Sequence, residues 1–171
     1  MIARTLVVAL LLVTALVLQT ALFPAVTLFG FRPDLLLLIV IAVALHDGSM
    51  AGARVGAAAG LLVDLLVSQA PVGLSIVVYA SLGHVIGLAR PYLATDSVTA
   101  PLLLAFATGA LGTAGYGLLT SLLADEPTTT GLLVRAALSV GLYNTLLAPL
   151  AYAVVGRLAG RFPLTGAPSR E

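Results

Sequence analysis

Residues 33–64 read PDLLLLIVIAVALHDGSMAGARVGAAAGLLVD. Leu35 to Leu45 is an unbroken apolar run. Beyond the turn at His46 to Ser49, glycine recurs at Gly52, Gly56 and Gly60, and Asp64 takes the next position of the same series. An i, i+4 series lies on one stripe of a helix. The stretch therefore predicts two helices, one apolar all round and one with a groove of small residues ending in a carboxylate. The rest of the chain decides their solvent. Of 171 residues, 60% are hydrophobic and 9% charged, whereas soluble domains run near 45–50% and about 25%. A bilayer is the solvent that suits such a composition.

Working outward, a spanning helix needs about 20 predominantly apolar residues. Six segments qualify or nearly qualify: 5–23, 33–46, 50–69, 72–90, 97–123 and 131–159. The runs are long and lack the short alternation of membrane strands, so the expected class is an all-α bundle of six transmembrane helices. Pro24, the Gly30 to Pro33 stretch, His46 to Ser49, Gln69 to Gly73, Arg90 to Asp96 and Asp125 to Gly131 separate them. Residues 1–160 form one polytopic domain on this reading, followed by a short tail, 161–171. Arg4 and the apolar run after it look like a signal peptide, but the run continues to Phe23 without a small-x-small cleavage pattern. An uncleaved first helix is expected.

Two segments are poor spans by hydropathy. Segment 33–46 would reach only about 20 Å, with Pro33 placed in its first turn, where a missing N–H costs nothing. Segment 50–69 carries Arg54 and Asp64. A five-helix count is thus open, and the arginines arbitrate. With six helices and a cytoplasmic N-terminus, Arg4, Arg54, Arg90, Arg157, Arg161 and Arg170 fall inside, and only Arg32 and Arg135 fall outside. Cytoplasmic flanks are enriched in such residues, so six helices with both termini cytoplasmic are expected.

Several functions are excluded or lack support. The chain has no cysteine, hence no disulfide, thiolate metal site or cysteine nucleophile. A net charge of +1 gives no footprint for nucleic acid. No catalytic triad context, metalloprotease motif or phosphate-binding loop is present. No enzyme activity, metal or cofactor is expected.

Charged groups within a membrane helix are costly and need a reason. For Asp64 two readings are open. The Gly52, Gly56, Gly60 stripe could bring another helix close, with Asp64 as a polar lock or binding group. Alternatively, the stripe is plain packing and Asp64 is satisfied locally. Gln19, Arg135, Arg32 and Asp34 fall at similar depth on the outer side, so an outer polar cluster is expected, with an Asp64–Arg135 pair within it. The competing expectation for Arg135 is a side chain that snorkels to the headgroups or meets Asp125 and Glu126. Pro149 should free the carbonyl of Thr145, and Asn144 adjoins it. His84 is a lone histidine, and His46-Asp47 reads as ordinary turn chemistry. Tyr79, Tyr116, Tyr143 and Tyr152 read as core or interface, and Gly109, Gly112 and Gly115 as a second close-packing face.

Some features belong together as a set. Gln19-Thr20-Ala21-Leu22-Phe23-Pro24 closes the first helix and Arg32-Pro33-Asp34-Leu35-Leu36-Leu37-Leu38 opens the second. Ala51-Gly52 through Gly56 and Gly60-Leu61-Leu62-Val63-Asp64-Leu65-Leu66 form the third. Pro71-Val72-Gly73-Leu74-Ser75 leads into a helix with Gly83 and Gly87. In order and spacing they resemble the rod shape-determining protein MreD family, best over residues 1–90. The resemblance implies a non-enzymatic subunit of the bacterial cell-wall elongation machinery in the cytoplasmic membrane. It implies association with the bitopic protein MreC, and through it links to MreB, RodA and a penicillin-binding transpeptidase. It also implies a likeness to the substrate-binding subunits of energy-coupling-factor vitamin transporters. Family positions map to Gln19, Pro33, Asp34, Gly52, Gly56, Gly60 and Asp64. The alternative function is small-molecule uptake, although the Ala-xxx-Ala docking pattern of such subunits is absent from residues 5–20.

Overall fold

The computed structural model describes residues 2–22, 27, 30–66, 71–93, 99–123 and 129–161. They form six α-helices: α1 (Ile2–Ala21), α2 (Leu35–Asp47), α3 (Ser49–Leu66), α4 (Leu74–Ala89), α5 (Thr99–Leu123) and α6 (Thr130–Arg161). A single 3-10 turn, Arg90–Tyr92, follows α4. Five helices are long and apolar enough to cross a membrane, and α2 is a shorter apolar helix. This is a multi-pass bundle.

The short helix is the centre of the bundle. Every residue from Leu36 to Ala44 is buried, none more than 4% exposed. A helix that is apolar all round has no polar face to offer, so burial on all sides is its stable environment. It packs against α1, α3, α4, α5 and α6. The long helices instead turn leucine and valine outward, as Leu10, Leu103, Leu122 and Leu150 do at 66–75% exposure. That inversion, aliphatic side chains on the outside, is what a lipid solvent permits.

The start of α2 differs from the sequence expectation. Pro33 is buried but precedes the helix, and Asp34 is the N-cap. Leu37 donates its N–H to Asp34 Oδ1 at 3.0 Å. A capping carboxylate satisfies an orphan N–H directly, which outweighs proline's suitability for the first turn.

Two antiparallel hairpins flank α2. In α3–α4, a Cβ added at Gly52 would come closer than 3.0 Å to the Gly83 carbonyl. One at Gly56 would do the same to the Tyr79 carbonyl, and one at Gly60 to the backbone of Ile76 and Ser75. The relation is mutual at Gly83, and Gly87 meets the backbone of Ser49. The expected stripe is thus in backbone-to-backbone contact with α4, the geometry small residues allow in membranes. In α5–α6, a Cβ at Gly109 would lie 3.1 Å from Gly141 Cα, and one at Gly117 would strike the Leu133 side chain. The Tyr152 hydroxyl donates to the Pro101 carbonyl at 3.0 Å, tying the opposite end of the same pair.

Candidate functional site

The most connected polar group is at the first turn of α2. A helix begins with N–H groups that lack intrahelical acceptors, and here the turn is buried among apolar helices. Three side chains accept its N–H groups, and a fourth holds the capping carboxylate. Gln19 Oε1, from α1, accepts the N–H of Leu35 at 2.9 Å. Asp34 caps Leu37 as described. Asn144 Oδ1, from α6, accepts the N–H of Asp34 at 2.9 Å. The Tyr79 hydroxyl, from α4, donates to Asp34 Oδ2. The hub therefore joins α1, α2, α4 and α6.

Its depth follows from α6. Arg135 and Arg157 are both exposed, and the helix rises about 33 Å between them, close to the thickness of a hydrocarbon core. Asn144 lies about 13 Å along the helix from Arg135. The hub thus sits within the apolar layer, where no water can replace a lost partner. Asn144 is fully buried. Its Oδ1 is engaged while its Nδ2 is buried without a hydrogen-bond partner, as is Ser75 Oγ.

A second polar device caps α4. Asp64, 3% exposed, accepts the Gly73 N–H at 2.7 Å and the Ser75 N–H at 3.1 Å. Gly73 occupies the N-cap position with φ +118° and makes no side-chain cap of its own. The carboxylate at the end of the α3 stripe replaces it, and it also meets the favourable, positive end of the helix dipole. The expected Asp64–Arg135 pair is corrected by this geometry. Both Asp64 oxygens are turned to the α3–α4 connection, while Arg135 is exposed on α6.

A third device lies at the other end of α2. Arg4 Nε donates to Asp47 Oδ2 at 3.1 Å, and Arg4 Nη2 pairs with the same oxygen. Both side chains are largely buried. His46, next to Asp47, faces Gly156 of α6.

Of the candidate residues, Gln19 and Asp34 meet at the hub, with Pro33 buried beside it. Gly52, Gly56, Gly60 and Asp64 build the α3–α4 hairpin, and Arg135 joins neither. Asp125 and Glu126, the other suggested partners of Arg135, lie outside the described residues. Tyr79 and Asn144 complete the hub but carried only general signals, core placement and proximity to Pro149. Arg4 and Asp47 had no local signal for their pairing. Among the described residues, no group of three histidines or carboxylates could hold a metal ion. What the arrangement does chemically is lock helix ends together, through backbone N–H groups at the starts of α2 and α4 and through the Arg4–Asp47 ion pair at the end of α2.

No curated protein and no solved structure matches the chain. A family model for rod shape-determining protein MreD matches residues 1–158, which takes in all six helices nearly to the end of α6. With that match over nearly the whole of a polytopic helical bundle, the chain belongs to the rod shape-determining protein MreD family.

Proposed function

We propose that the protein is a non-enzymatic membrane subunit of the bacterial cell-shape and lateral wall-elongation machinery. It binds an MreC-like bitopic protein and so helps organise peptidoglycan synthesis, with MreB, RodA and a penicillin-binding transpeptidase as indirect partners. It sits in the cytoplasmic membrane with both termini in the cytoplasm. The observation that supports this reading is the family match along nearly the whole bundle. The polar groups described serve helix ends, which suits a scaffold whose surfaces, rather than a reacting centre, carry function. Affinity purification from native membranes tests it: the MreC-like protein should co-purify with the full chain. Failure to recover it, with the partner expressed in the same membranes, overturns the proposal. Retention of a vitamin-type ligand by the purified protein, with no such partner, would turn the reading to uptake.

A further inference from the structure

The outward stripe of α6 runs through Leu138, Leu142, Leu146 and Leu150, all 45–66% exposed. It ends in Arg157 and Arg161, also exposed and one turn apart at i, i+4. Like charges at this spacing repel along a helix, and no carboxylate among the described residues relieves them. Asp34 is held by Tyr79 and Leu37, Asp47 by Arg4, and Asp64 by Gly73 and Ser75. The C-terminal end of a helix tolerates cations but leaves two guanidinium forks free to take an anion. Because the pair continues the lipid-facing stripe about 33 Å from Arg135, the anion within reach is at headgroup depth. Guanidinium forks match phosphate oxygens in a bidentate way.

We propose that Arg157 and Arg161 form a clamp for the phosphate of an anionic lipid headgroup at the end of α6. The test uses the purified full chain in micelles containing equal parts phosphatidylglycerol and phosphatidylcholine, with retained lipid counted by native mass spectrometry. The wild type should retain phosphatidylglycerol preferentially. R157Q/R161Q should lose most of that preference while keeping its phosphatidylcholine retention and its monodisperse elution, and R135Q, with one charge removed at the opposite end of the same stripe, should keep it. Equal preference in the double Gln variant overturns the proposal, as does an equal loss per charge in R135Q, which would mark bulk charge. Complete competition by inorganic phosphate would also overturn it, assigning the pair to a free anion instead of a lipid.

Discussion

Asn144 on α6 accepts the backbone N–H of Asp34 at 2.9 Å across 110 residues of sequence. The same Asp34 carboxylate receives the Tyr79 hydroxyl from α4. One residue at the start of a buried helix thereby fixes that helix against two others, inside a layer without water to substitute for a lost bond. The central position of α2 has two sources: its aliphatic surface sets the burial, and this hub sets how far along the bundle it sits.

Asn144→Ala removes the acceptor without adding bulk beside Gly109. It should leave the Asp34 N–H buried and unpaired, at a cost of about 1–3 kcal/mol. Equilibrium unfolding of the purified protein in mixed micelles measures this. Stability equal to wild type would show that the Asp34 N–H finds another acceptor.

The glycines divide by what stands opposite them. At Gly56 a Cβ would meet backbone atoms of Tyr79 and Ala80, which cannot rotate away; at Gly115 it would lie 3.8 Å from Val78 Cγ2, an ordinary contact. Gly56→Ala should therefore force α3 and α4 apart and destabilise by about 1–3 kcal/mol, the usual range for overpacking. Gly115→Ala should be neutral or slightly stabilising, since alanine is the better helix former. Matched unfolding curves for the two variants would contradict the backbone contact at Gly56.

Asp64→Ala should uncap α4. Two N–H groups lose their acceptor, and the expected loss is about 1–2 kcal/mol by analogy with N-cap removal. Asp64→Asn keeps one carbonyl oxygen and should lose less. Amide hydrogen exchange at Gly73 and Ser75 reads the effect locally: faster exchange in the Ala variant is expected, and unchanged protection would show that Asp64 does not cap the helix.

Legibility in the sequence followed the range of the interaction. The Gly52, Gly56, Gly60, Asp64 series was legible because i, i+4 spacing is written within one helix. Asp34 was legible only as a polar group of the outer cluster; its capping role was missed because Pro33 beside it suggested an earlier start. The partners were not legible. Nothing near Tyr79 says that its hydroxyl reaches Asp34, because the pairing depends on how α2 and α4 pack. The expectation of an Asp64–Arg135 pair arose from opposite charges at similar depth. It overlooked that the nearest uncompensated donors for a carboxylate closing α3 are the N–H groups opening α4.

Arg4 and Asp47 give the last prediction. Between this ion pair and the Gln19–Leu35 hydrogen bond, α1 offers the core only Leu12, Ala15 and Leu16 as buried side chains. With so narrow an apolar interface, its polar ends should matter more to α1 than ion pairs usually do. Arg4→Gln leaves Asp47 charged and shielded from water, a state worse than having neither partner. The single variant should lose about 1.5–3 kcal/mol, the range for hydrogen bonds to charged groups, and Arg4→Gln/Asp47→Asn should lose less. A double-mutant cycle in mixed-micelle unfolding isolates the coupling. Faster amide exchange along α1 in Arg4→Gln should accompany it. Strictly additive losses, with α1 protected as in the wild type, would mean that the ion pair does not hold this helix and that its apolar stripe suffices.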